Sequence, residues 1–156
     1  LFPIFSTEKQ LLVTAAHRAH EQGLIDYDQP VKRHWPEFSG TPEKESLTVR
    51  QLLGHRTGLP TVAPRSFDEE ALTNWNHMVA WAARQPAKDP GTVSTYLALT
   101  YGWYLGYVLE NVFGKSIKDV LDELRKLFLD DIERGASYTD VELARELSES
   151  VPSDIS

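Results

Sequence analysis

The segment from Ser6 to Gly23 constrains the fold more than any other. Leu12, Ala15, Ala16 and Ala19 recur at i, i+3, i+4 and i+7, which places one apolar stripe along a helix. Because the stripe is mostly alanine, neighbouring backbones can approach it closely, so it predicts a buried central helix, with Gly23 as its stop. Further helical signals follow. Thr48 and Gln51 form a capping-box pair that opens a short helix through Leu52 and Leu53, weakened at Gly54. Ser66 and Glu69 predict a longer one, with Ala71, Leu72, Trp75, Met78, Val79 and Ala82 on one side and Pro86 and Pro90 closing it. A third is expected from near Thr95 to Phe113, stopped by Gly114. Ser116 caps another, whose apolar face is Ile117, Val120, Leu121, Leu124 and Phe128, and Thr139 with Glu142 caps a last short acidic helix. Pro30 and Pro36 make the stretch from Leu24 to Pro36 irregular. No alternating apolar pattern stands out, so strands are absent or few and the expected class is mainly α.

A chain of 156 residues suits one domain with a real core, and its hydrophobic content of 41% and charge of 25% are ordinary for a soluble globular protein. No apolar run approaches a membrane span, and nothing resembles a cleaved signal. The first residue is Leu1 rather than Met, which reads as a processed product or a fragment. Having no cysteine excludes disulfides, thiolate catalysis and zinc–thiolate sites, without identifying a compartment. Charge is unevenly placed. Residues 130–156 hold eight acidic side chains against Arg134 and Arg145, so they carry −6 of the net −7. The first 129 residues are nearly neutral, which argues against a nucleic-acid partner, since that needs a basic face. The acidic end reads as a solvated tail.

Chemistry centres on Ser6-Thr7-Glu8-Lys9. A serine and a lysine three residues apart on a helix share a face, with Cβ atoms about 5–6 Å apart. The pair can act as nucleophile and proton acceptor, provided burial lowers the lysine's pKa. A serine at a helix start also turns its own N–H outward, where an oxyanion would need it. Taken alone the spacing arises easily by chance, and the plain alternative is an N-cap serine beside a surface lysine. His17 and His20, at i and i+3, have a possible metal-ligand spacing, but no third ligand lies nearby in sequence and none is expected. Trp103 and Tyr107, one turn apart in the aromatic run Tyr101, Trp103, Tyr104, Tyr107, read as core packing rather than as the lining of an acyl pocket.

Several separated stretches together resemble the serine β-lactamase-related hydrolases, the branch of class C β-lactamase-like esterases, penicillin-binding-protein relatives and LACTB-type proteins. They are Phe5 to Lys9, Glu21 to Val31, Trp35 to Phe38, Leu47 to Pro60 (where that family typically has ITVRQLLSHTSGLP), Pro90 to Thr92, Tyr96 to Trp103, and Gly114 to Ser116. The resemblance covers residues 1–128 and leaves 129–156 as a divergent acidic tail. It implies the helical part of an α+β serine β-lactamase/transpeptidase-like fold, with the sheet largely missing. It also implies Ser6 as the acylated nucleophile, Lys9 as its proton partner, and Tyr96 as the tyrosine of the second motif, Tyr-x-Asn in many members. A phenol near pKa 10 acts as a base only where a cation such as Lys9 stabilises the phenolate. His55 becomes part of a packed turn rather than a base, and no cofactor is implied.

Two departures qualify the implied activity. Position 98 is Ala where many members have Asn, which favours a simple ester substrate over a β-lactam. After residue 128 nothing matches the third motif, a Lys-Thr-Gly or His-x-Gly whose strand supplies the second oxyanion-hole donor. The expectation is thus a serine hydrolase acting through an acyl-enzyme on a small ester or amide, as a fragment or truncated form. The alternative is an inactive, degenerate member serving as a binding domain and open to self-association.

Overall fold

The alanine stripe forms the floor of the core. In the computed structural model, which describes residues 5–133 and side chains from 6 to 127, Ser6 sits in a short 3-10 turn, Phe5–Thr7, that runs into helix α1, Glu8–Glu21. Ala15, Ala16 and Ala19 are at most 1% exposed, and α1 packs there against α6, Tyr101–Phe113. With only methyl groups on one side, the other helix can bring large side chains: Tyr101, Tyr104, Leu105, Val108 and Leu109 of α6 are all buried. Each buried leucine contributes about 2–3 kcal/mol by leaving water. Gly23, at φ +71°, ends α1 in the left-handed conformation. Its N–H donates to the His20 carbonyl at 2.9 Å and that of Leu24 to Ala19 at 2.9 Å, the double bond pattern that satisfies a helix end.

Between α1 and α6 lie short elements: a 3-10 turn at Val31–Arg33, α2 (Pro42–Glu45), α3 (Val49–Leu53), α4 (Glu69–Thr73) and α5 (Trp75–Ala83). The capping box of α3 forms as expected, with Thr48 and Gln51 each bonding the other's backbone N–H. Among the described residues the one strand-like feature is an isolated bridge between Pro30 and Thr48, so the mainly helical expectation holds there. No helix of these residues is long and apolar enough to cross a membrane.

Three local expectations need correction. The helix expected from Ser66 is two helices. Asp68, not Ser66, caps α4 by accepting from Ala71 N–H at 2.9 Å, and Asn74 breaks the run and caps α5 by accepting from His77 N–H at 3.0 Å. A short amide side chain competes with the helix for backbone donors, and here it wins. The break turns Trp75 onto α6, where a Cβ at Gly106 would come within 2.9 Å of the indole. The third expected helix starts at Tyr101 rather than near Thr95, because the preceding N–H groups donate elsewhere, as described below. Helix α2, which the sequence reading did not anticipate, is a four-residue turn capped by Thr41.

Gly114, at φ +65°, stops α6, and Ser116 opens α7, Ile117–Glu133, by accepting from Asp119 N–H at 3.1 Å. Glu110 ties this corner together. One carboxylate oxygen accepts from the Trp75 indole at 2.9 Å, and the other from Ile117 N–H at 2.8 Å. The chain divides into two compact units, Leu1–Asp122 and Glu123–Ser156, with α7 beginning in the first. The helix expected at Thr139 to Glu142 lies outside the described residues.

Candidate active site

Ser6, Lys9 and Tyr96 come together in the first unit. Lys9 Nζ donates to Ser6 Oγ at 3.0 Å and to the Ala98 carbonyl at 2.9 Å. It also stands 5.1 Å from the centre of the Tyr96 ring. Ser6 is therefore not the helix cap: Thr7 occupies that position with no side-chain cap bond, and the serine hydroxyl faces the lysine. The site opens onto a cleft of about 280 Å³ lined by Ser6, Glu8, Lys9, Leu12, Ala98, Leu99 and Gly102. An apolar cleft of about 350 Å³, walled by Leu11, Trp75, Ile117 and Leu121, shares Glu8, Leu12 and Gly102 with it.

Tyr96 is half-exposed. Its hydrogen bond with Ser6 is the main cause that holds the phenol below its ordinary value near 10; desolvation opposes this, and a bond with Lys9 and that lysine's charge add to the lowering. The Ser6 and Lys9 interactions are the kind a phenolate requires, since each favours the charged form.

The loop that carries Tyr96 is laced to the stretch from Leu53 to Thr61. Thr95, Leu97 and Leu99 alternate as donors: Thr95 N–H to the His55 carbonyl (2.9 Å), Leu97 N–H to His55 Nδ1 (3.1 Å), Leu99 N–H to the Thr61 carbonyl (3.1 Å). Buried Thr100 donates its hydroxyl to the Pro60 carbonyl at 2.7 Å. Upstream, Lys88 N–H donates to Gly58 (3.0 Å), Gly91 N–H donates to Arg56 (2.8 Å), and the Arg56 guanidinium returns a bond to the Gly91 carbonyl. Gly58 lies at φ +65°, and a Cβ there would fall 1.8 Å from the Lys88 carbonyl oxygen. The motif around His55 thus acts as a frame for Tyr96.

His55 belongs to a packed turn, as the resemblance implied, with its ring 4.9 Å from that of Tyr96 and 4.6 Å from that of Tyr101. Burial first, and then the Lys9 charge, hold its pKa below the usual histidine value. Sequence reasoning missed the Ala98 carbonyl. The residue whose side chain lacks an amide still serves the lysine through its main chain, and no side-chain pattern signals a carbonyl. His17 and His20 are occupied internally: His17 Nδ1 bonds the Tyr27 hydroxyl at 2.5 Å, and His20 Nδ1 pairs with the Ile25 carbonyl at 2.9 Å while its ring stacks on Tyr27. No cluster of three or more metal-ligating side chains occurs among the described residues. Tyr101 and Tyr104 are core residues, and Tyr107 packs on Trp35 with ring centres 4.7 Å apart.

A serine, a lysine and a tyrosine thus converge at the mouth of the helical core. Residues 1–128 match the family model described as Beta-lactamase. The chain belongs to the β-lactamase family. It is 36% identical over 118 residues to the esterase/β-lactamase LipL of Mycobacterium tuberculosis (strain ATCC 25618 / H37Rv), which covers 74% of this chain and 26% of that protein. Among solved structures it is similar to a penicillin-binding protein homologue from Caulobacter crescentus, with TM-score 0.69 and 32% identity over 76% of this chain and 32% of that one. A family VIII carboxylesterase gives TM-score 0.67 and 33% identity over 75% and 32%. The helical architecture is consistent with the helical part of that fold. The chain spans about a quarter of the length of the curated relatives it matches.

Proposed function

We propose that this chain carries the acylation machinery of a serine hydrolase acting on small carboxylic esters. Ser6 attacks the ester carbonyl, and the proton from its hydroxyl passes to the Tyr96–Lys9 pair. The alcohol leaves, and water then releases the acid from the acyl-serine. The observation that carries this reading is the convergence of Lys9 on three points of the site: the Ser6 hydroxyl, the Tyr96 ring and the Ala98 carbonyl. A lysine so placed stabilises a phenolate and orients the nucleophile at once. An ester is preferred to a β-lactam because position 98 offers a main-chain carbonyl and no side-chain amide donor. The apolar cleft beside the site suits an apolar acyl or alcohol group.

A second reading is a chain that acylates without turning over. It is motivated by the third motif, for which residues 129–156 offer no match. One experiment separates the two. Mixed with a p-nitrophenyl ester, a hydrolase releases nitrophenol continuously, whereas an acylating chain gives one equivalent per protein and stops. In either case a fluorophosphonate probe should label Ser6. Ser6→Ala should abolish labelling, and Tyr96→Phe should slow it about 100-fold. Labelling that persists in Ser6→Ala would sink the nucleophile assignment.

A further inference from the structure

We infer that His55 is a positioning residue for this site: as a neutral imidazole accepting the Leu97 N–H, it fixes the loop that presents Tyr96 and the Ala98 carbonyl, and protonation of the ring releases that loop. The inference rests on the reading of Ser6, Lys9 and Tyr96 given above, and extends it to regulation by pH.

The geometry is specific. His55 holds both chain neighbours of Tyr96, Thr95 through its carbonyl and Leu97 through its ring nitrogen. The residue after Leu97 is Ala98, whose carbonyl anchors Lys9. One histidine therefore sits behind two of the three groups that surround the lysine. To do so it adopts φ +56°, a left-handed conformation that side chains other than glycine, asparagine and aspartate adopt reluctantly. There its carbonyl and its ring both meet the Tyr96 loop.

An N–H donor opposite Nδ1 dictates the protonation state. Nδ1 must keep its lone pair, so the ring proton resides on Nε2. The groups facing the imidazole are the Tyr96 ring from the loop, the Tyr101 ring from α6 and the Lys9 charge from α1. Protonation would turn Nδ1 from acceptor to donor, opposite a donor, and add a cation near an ammonium. Burial and Lys9 both resist it, so the ring holds its neutral form to lower pH than a free histidine does. Because the folded value lies below the unfolded one, His55's contribution is whole above about pH 6.5 and is lost as the pH falls through and below that value.

The test uses the full chain, labelled with nitrogen-15, followed by NMR from pH 8 to pH 5. The expected result is a His55 ring with its proton on Nε2, and a Leu97 amide resonance that shifts in step with the ring's titration at a midpoint below that of a free histidine. In parallel, fluorophosphonate labelling of Ser6 is timed across the same range. His55→Asn tolerates the left-handed backbone and offers an oxygen to the Leu97 N–H. It should stay within about threefold of the parent at pH 7.5, yet lose the acid limb of the profile, whereas His55→Ala should slow labelling about tenfold, the worth of one hydrogen bond. A ring proton on Nδ1, a Leu97 amide indifferent to the ring's titration, or an acid limb unchanged in His55→Asn would each overturn the inference. If the parent does not label at all, the Ser6 reading fails, while the amide titration still decides the role of His55.

Discussion

The α1–α6 contact and the loop pair at 53–61 and 88–100 hold the same site by different means. Across the helix contact, alanines of α1 meet large side chains of α6, and stability comes from excluded water and close packing. In the loop pair, Leu59 and Leu97 are buried, while Val93, Tyr96 and Leu99 are at least half-exposed. Order there comes also from a ladder of backbone donors, a left-handed glycine and a histidine acceptor. Ser6 and Lys9 stand on the first region and Tyr96 on the second. On the role proposed for His55, acid displaces Tyr96 while Ser6 keeps its place.

That contrast can be broken most severely at Gly58. Gly58→Ala places a methyl group on the Lys88 carbonyl and strains a left-handed backbone, so it should cost roughly 3 kcal/mol or more by urea unfolding and suppress Ser6 labelling. The core gives a smaller response. Ala16→Leu, fully buried between α1 and α6, should cost roughly 2 kcal/mol through overpacking, and should leave the ring resonances of Tyr96 in place. Disturbance of Tyr96 by that substitution would show that the two regions are not independent. The smallest effect is at Lys44, a buried lysine on α2 whose ammonium donates to the last carbonyl of α5, Ala83, at 2.5 Å and lies over Phe38. Burial holds its pKa down to about 8 from 10.5. Between those values the unfolded chain binds more protons than the folded one, so Lys44 makes stability rise with pH across that window. Lys44→Met should flatten the rise in melting temperature between pH 8 and pH 10, with the acid side of the curve, where Lys44 is protonated in both states, untouched.

Much of the packed region was legible in the sequence, because periodicity and caps are local. The α1 stripe, the Thr48–Gln51 box, Gly114 and Ser116 all express preferences that a few neighbouring residues settle. The loop region was legible only in part. Tyr96 was found through resemblance, and its neighbours looked like the first turn of a helix because their side chains suit one. What keeps them extended is a set of acceptors on residues about 40 positions earlier, including a ring nitrogen, and no local pattern encodes that. Asn74 shows the same limit in reverse: an apolar face continuing through Leu72, Trp75 and Met78 suggested one helix, and a single amide divided it.

Glu110 has a consequence for how the molecule opens. Its two oxygens tie the indole of Trp75 to the first amide of α7, so the start of α5 and the start of α7 share one fastener on α6. Fraying of either end leaves a half-satisfied carboxylate, which weakens the hold on the other. The two ends should therefore exchange their amide protons as one cooperative unit rather than as independent tips, and that unit borders the apolar cleft beside Ser6.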